Sequence, residues 1–490
     1  MSDGTNARGS RIEEVLPLSP LQQGLLFHAG FDGTGDGTVD VYGAQLVIDL
    51  DGPLDADRLR NTATALAERH ACLRTAFVRD VGRPLQVVLR TVEVPFTVAD
   101  LTGADPDERE RRRARLVARD RDTRFDLERP PLIRFLLIRL AEARHQLVVS
   151  NHHLVMDGWS TPVLLRDLFA LYAAGADSPG LPPVRPYRDF LSWLAGRDDD
   201  AARAAWARAL DGFEEPTPLV PGEAGPPTAF PRQVEYAIDA ERTAALTALA
   251  GRIGVTPNTV VQAGWGVVLG RVTGREDVVF GATVSGRPAD LSGVESTVGL
   301  FINTLPVRVE LRPAETAAEL LIRLQGEQAD LLDAQHVGLG EIARQAGLGA
   351  AERGTGELFD TLLVFESFPF DSDAIDAAQR AAGLCVTGVD RPISTHYPLT
   401  LMVTPSGGRF EIVAKYRADL LAESGVRTLL ERLDRVLHRL VTDPQVRVAE
   451  LDALGDGEQA ALLRQASADG PPPSGDTLAD LLERGAALRP

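Results

Sequence analysis

Two apolar runs, PLIRFLLIRL (131–140) and HQLVVSNHHLV (145–155), stand close together, joined by a short polar segment. Runs this short and this apolar, bounded by turn-forming residues, predict two adjacent buried strands. GAQLVIDL (43–50) predicts another strand, and the sequence from about Asp55 through RLRNTATALAERHACL a helix. Helical spacing returns in STPVLLRDLFALYAAG (160–175). Upstream, Ser19 suits an N-cap, Pro20 the first helical turn and Gln22 the capping-box position, which predicts a short helix. Proline and glycine then accumulate over 175–186 and 211–231, marking loops or a connection between lobes. Beyond them a second set of elements follows. Helices are predicted near 240–252, 257–270, 315–334 and 422–442, and strands in DVVFGATVS, INTLPVRVEL, DTLLVFES, HYPLTLMV and RFEIVAKYR. Each half mixes helices with mostly buried strands, so the expected fold is α/β, as two sandwich-like lobes of similar size.

A chain of 490 residues is long enough for more than one core. No apolar run approaches the ~20 residues a membrane helix needs, and MSDGTNARGSRIEE lacks the apolar stretch of a signal peptide. Cys72 and Cys385 do not make a disulfide framework, and a cytoplasmic protein is expected. A net charge of −19 argues against a nucleic-acid surface. The basic charge is almost all arginine. Lys415 is the sole lysine, which excludes a Walker A loop and confines any lysine Schiff base to one position. The mixed-charge run DERERRRARLVARDRDTR (107–124) reads as a solvated helix in preference to a docking patch.

Candidate chemistry concentrates in VVSNHHLVMDGWS (148–160). Consecutive strand residues face opposite ways, so His152 and His153 do not easily share a metal ion, and no third ligand has zinc spacing. No Gly-x-Ser-x-Gly elbow exists, and neither cysteine has an adjacent base. The pair stands where an apolar strand ends beside Asp157 and Gly158, a place where a side chain can meet a cavity. An imidazole titrating near ~6.5 suits proton transfer at neutral pH. From spacing alone, a catalytic and a structural histidine pair both remain open.

HHLVMDGWS resembles the His-His-x3-Asp-Gly signature of condensation domains in nonribosomal peptide synthetases. LSPLQQGLLFH (18–28), RHACLRTAF (69–77), YRDFLSW (187–193), VGLFINTLPVRV (298–309) and YRADL (416–420) resemble further motifs of that family in order, and QHVGLG (335–340) does so loosely. The resemblance implies two chloramphenicol acetyltransferase-like lobes in a V with a tunnel between them. It places an N-terminal lobe over 1–180, a C-terminal lobe over 181–455, and over 456–490 a linker with the truncated start of an adenylation-like domain. It implies amide formation between an upstream carrier-bound acyl or peptidyl thioester and the amine of a downstream carrier-bound aminoacyl thioester. The substrates would ride on phosphopantetheine arms, with no cofactor or metal held by this chain. Expected partners are two peptidyl carrier proteins and a C-terminal adenylation domain, with no nucleic acid or membrane, the chain itself being monomeric. His153 becomes the catalytic histidine and the backbone at Gly158 an oxyanion donor. Asp157 orients the loop through Arg287 or, second, Arg74, and His152 and Trp193 are structural. Asn303, Trp159 and Ser160 are expected along the tunnel. SPLQQGLLFH and VGLFINTLP look more like condensation domains that take a donor ending in a D-residue. The other readings are a condensation-like module that recruits a tailoring enzyme without chemistry, and a free-standing coenzyme A acyltransferase.

Overall fold

The structure is a computed structural model that describes residues 11–32, 38–79, 82–175, 180–222, 224–347, 358–366, 372–391 and 395–466, with a few positions between 477 and 480. In the first half the strands are β1 Ile12–Pro17, β2 Gly43–Asp51, β3 Thr75–Val78, β4 Leu85–Leu89, β5 Phe96–Asp100, β6 Ile133–Ala141 and β7 Arg144–His152. In the second they are β8 Arg232–Ile238, β9 Asp277–Val284, β10 Asn303–Glu310, β11 Thr361–Phe365, β12 Cys385–Asp390, β13 Leu399–Ser406 and β14 Arg409–Tyr416. The two apolar runs form the antiparallel pair β6–β7, as their pattern requires, and β2 pairs β7 from Gly43 opposite His152 to Asp51 opposite Arg144.

Strand alternation splits the first lobe's core in two. Leu147 and Val149 face the helices Ala56–Arg69 and Ser160–Ala174 through Leu59, Leu66, Leu164 and Leu168. Val148 faces the other way, with Leu136 and Ile138, toward Leu116 and Val117 of the charged helix Pro106–Asp122. That helix starts at Asp105, whose carboxylate caps the N–H of Glu108, and none of its residues is fully buried. It is a solvated face, as the interleaved charges predict.

The second lobe is built on a six-stranded sheet in the order β10-β9-β11-β13-β14-β8, with the helices Pro257–Thr273 and Glu423–Thr442 packed on one face. A five-stranded sheet in the order β12-β2-β7-β6-β5 carries the first lobe, and a small sheet, β1-β4-β3, adjoins it. Strand β12 belongs by sequence to the second half but pairs antiparallel with β2, from Cys385 opposite Asp51 to Asp390 opposite Val47. The preceding helix, Ser372–Ala382, lays Ala378 and Ala382 on the first lobe's core. A division at 180/181 therefore follows the chain but not the sheets. Without the donated strand, β2 would be an open edge. Of the linker and adenylation-like start expected over 456–490, residues 456–466 form the helix Asp456–Ala466, and residues 467–476 and most of those after them lie outside the described residues. Among the described residues no helix is long and apolar enough to cross a membrane.

Candidate active site

Strand β7 ends at His152, and the chain turns through 153–159 into the helix Ser160–Ala174. His152 is fully buried, its Nδ1 accepting the Leu154 N–H at 3.1 Å, which places the ring proton on Nε2. That Nε2 has no hydrogen-bond partner among the described residues and faces Asp40 Oδ1 at 3.8 Å. Burial pushes the ring's pKa down to about 4, against the opposing pull of Asp40. His152 is thus a neutral, packed residue at neutral pH.

His153 differs. Its backbone N–H donates to the Tyr42 carbonyl at 2.9 Å, and its ring hydrogen-bonds the backbone of Met156. Unlike its neighbour it keeps partial contact with solvent although protein surrounds it densely. Desolvation lowers its pKa, while Met156, Asp157 and Asp40 resist and Lys415 adds to the fall. A neutral imidazole in a residue that is not fully buried can accept a proton or hydrogen-bond an amine.

Asp157 is occupied. Its Oδ1 accepts from the Ser160 N–H at 2.9 Å, the Ser160 hydroxyl at 2.7 Å and Arg287 Nη2 at 3.2 Å. Its Oδ2 accepts the N–H groups of Phe301 at 2.9 Å and Ile302 at 3.4 Å. One buried carboxylate therefore ties the signature loop to the segment entering β10 in the other lobe. Arg287 also donates to the carbonyls of Val294 and Thr297 (2.9 Å to Thr297), and its guanidinium lies 4.0 Å from the Phe301 ring centre. Gly286, at φ +60°, makes this turn possible, because a Cβ there would lie 1.8 Å from the Phe301 carbonyl oxygen.

Several sequence expectations need correction. Arg74 does not reach Asp157. Its Nη1 pairs with Glu13 at 2.6 Å and bonds the carbonyls of Leu89 and Arg90, and its Nε takes the Ala67 carbonyl, so it pins β1 to β4. Ser160 does not line a passage. It is fully buried, donating to the Gly299 carbonyl at 2.8 Å and accepting the Gly299 N–H at 3.0 Å. Asn303 is also consumed, its amide holding the carbonyls of Gln335 and Val337 at 2.8 Å each and so fastening the QHVGLG loop. Trp159 stays partly exposed, with Nε1 on the Glu295 carbonyl. Gly158 is partly exposed, and its carbonyl accepts the Thr161 N–H. Trp193 donates to Asp290 at 3.1 Å.

Three contributors were not legible as such. Gln22 forms the expected box with Ser19 and also donates to the Leu154 carbonyl at 3.0 Å, joining the first motif to the loop. Tyr42 and Asp40 precede β2 and carry no motif. Among the described residues no group of three or more His, Cys, Asp or Glu side chains is arranged to hold a metal ion.

With this geometry in place, comparison with known proteins is informative. The family model for the condensation domain matches residues 12–463. Tyrocidine synthase 2 of Brevibacillus parabrevis is 32% identical over 492 residues, covering 98% of this chain and 13% of the synthase. The chain thus spans only a small part of that relative's length. The first condensation domain of the calcium-dependent antibiotic synthetase superposes with TM-score 0.70 at 23% identity, over 90% of this chain and all of that one. The X-domain in complex with OxyB from teicoplanin biosynthesis does so with TM-score 0.74 at 25% identity, over 92% and 100%. Motif order, a two-lobed chloramphenicol acetyltransferase-like fold and a family match across nearly the whole length agree: this chain belongs to the condensation-domain family.

Proposed function

We propose that this domain forms the amide bond between two thioester-tethered substrates in nonribosomal peptide synthesis. The carrying observation is the asymmetry of the histidine pair, one fully buried and the other only partly so, beside a loop that Asp157 locks to the other lobe. The amine of a downstream aminoacyl thioester attacks the carbonyl carbon of an upstream acyl thioester. The new C–N bond forms, the C–S bond breaks, and the proton lost from nitrogen passes to the departing thiolate. His153 hydrogen-bonds the attacking amine and takes or relays that proton. Backbone N–H groups at Gly158 stabilise the oxyanion. Alignment of two tethered groups supplies much of the rate, with effective molarities up to ~10⁵–10⁸ M as the bound.

In this reading phosphopantetheine arms of two carrier proteins enter a passage between the lobes from opposite mouths. The lobe boundaries lie near 180 and 455, and residues after 456 lead toward an adenylation domain. The domain acts as a monomer in the cytoplasm and takes a donor ending in a D-residue. Likeness to the X-domain, found in complex with OxyB, favours one other reading, a module that recruits a tailoring enzyme. The intact His-His-x3-Asp-Gly loop, with His153 partly exposed, speaks against it.

The test is a mass-spectrometric condensation assay with both carriers loaded, the donor supplied as either epimer. Product from wild type and a loss of 10²-fold or more in His153→Ala is expected. Product formed equally by both, or only from free coenzyme A thioesters, would overturn the assignment.

A further inference from the structure

Gln22 stands in the first turn of the helix Pro20–Asp32 and is 2% exposed. Its amide has a defined orientation. The Ser19 N–H, which can only donate, meets Oε1 at 2.9 Å. Nε2 is thereby left facing the Leu154 carbonyl, which can only accept, at 3.0 Å. Gln86, in β4, supports the acceptor side, its Nε2 donating to Gln22 Oε1 at 3.2 Å and to the Pro17 carbonyl at 2.6 Å. Two side-chain amides in series thus tie the small sheet to the signature loop. The helix itself starts against the second lobe, where a Cβ on Gly338 of the QHVGLG loop would lie 3.1 Å from the Pro20 Cβ.

What Gln22 holds is the peptide group between Leu154 and Val155. Its carbonyl takes Gln22 Nε2, and its N–H donates to the His152 carbonyl at 3.1 Å. A peptide group is planar, so bonds to both of its edges fix its rotation. His153 lies on one side of this peptide, and Met156, whose backbone the His153 ring bonds, lies on the other. Turning the peptide would carry Met156 away from the ring. Further on, the Asp157 N–H donates to the Gly299 carbonyl at 3.1 Å and its carboxylate accepts from Phe301, so the loop is held by the first-motif helix at one point and by the other lobe at the next.

We propose that Gln22 is a positioning residue for amide formation, its side-chain amide holding the Leu154 carbonyl so that the His153 ring keeps its place toward the incoming amine. The proposal rests on the reading that His153 contacts that amine. Leu154 is fully buried, so without a donor its carbonyl is stranded and the loop gains by turning it elsewhere. A displacement of about 1 Å at a reacting group is enough to lose up to roughly 10²-fold in rate. Gln22 is itself buried, so carrier docking does not involve it.

The experiment measures single-turnover condensation over a range of loaded-carrier concentrations for wild type, Gln22→Met, Gln22→Asn and Gln86→Met. Urea stability and the His153 ring NMR resonances are recorded for each. Gln22→Met removes the donor, Gln22→Asn keeps an amide one methylene too short to span both partners, and Gln86→Met removes two buried bonds of the same series without touching the loop. Both Gln22 variants should lose about 10- to 10²-fold in rate at saturating carriers, keep the wild-type half-saturating concentrations and shift the His153 resonances. Gln86→Met should lose comparable urea stability yet keep the wild-type rate and resonances. A Gln22→Met rate equal to wild type, a change confined to half-saturation, or an equal loss of rate in Gln86→Met would overturn the proposal. So would failure of both Gln22 variants to fold, which would make the glutamine structural. Absence of product from wild type would instead count against the amide-forming reading, while the ring resonances would still decide whether Gln22 places His153.

Discussion

At the scale of single residues, the site depends on two buried groups, Asp157 and His152. Asp157 has lost its water to five protein donors, among them Arg287. Asp157→Ala leaves that guanidinium, itself 3% exposed, without its carboxylate. Breaking a buried pair from one side costs about 3–5 kcal/mol. The expected outcome is a matching loss in urea-denaturation stability, with soluble yield falling; an unchanged midpoint would show that the loop does not depend on this carboxylate. His152 gives a pH signature. Its folded pKa is about 4, below the unfolded value near ~6.5, so the unfolded chain binds the extra proton first on acidification. Its contribution is intact above pH ~6.5 and is lost as pH falls toward 4, amounting to about 3 kcal/mol. The urea midpoint should drop across that window, and His152→Asn should flatten part of the slope. His28, His70, His145, His153 and His396, whose pKa values burial also lowers, contribute to the same slope.

At the scale of elements, close approach sets residue size. The helix Pro257–Thr273 is buried along most of its length, and a Cβ at Gly270 would meet Leu311 at 2.2 Å and the Arg275 carbonyl at 2.8 Å. Propensity favours alanine over glycine in a helix by about 1 kcal/mol, whereas overpacking costs about 1–3. Backbone on one side limits relaxation, so packing wins and Gly270→Ala should lower the melting temperature. A rise would mean Leu311 yields freely. At Gly286, strain of about 1–3 kcal/mol at a positive φ adds to collision with the Phe301 carbonyl. Gly286→Ala should therefore uncouple Arg287 from Asp157 and reduce condensation along with stability. The sheet and helix positions were legible because hydrophobic periodicity encodes them locally. Short strands such as β1, β3 and β12 were not, since four to six residues with mixed exposure carry no distinctive period.

At the scale of the whole molecule, the lobes share elements as well as a surface. The segment 372–390 covers the first lobe's core with a helix and closes its sheet with β12. A fragment of residues 1–222 should expose the β2 edge and the apolar surface under Ala378 and Ala382, and should aggregate in analytical ultracentrifugation. The same fragment with residues 372–390 fused through a flexible tether should stay soluble. A soluble monomeric 1–222 fragment would show that the exchange is dispensable.

The sequence alone determined the α/β class, the positions of the long elements and the loop that carries the histidines, because apolar period, caps and a contiguous motif are all local in the chain. It named Arg287 before Arg74 as the partner of Asp157, but could not give the bond. Only the tertiary structure decided which histidine keeps partial solvent contact, and that Ser160 and Asn303 are consumed by backbone groups. Each of these depends on atoms from residues distant in the chain, or on which face of a sheet is covered. Burial and long-range hydrogen bonding are properties of the packed chain, and no window of sequence contains them.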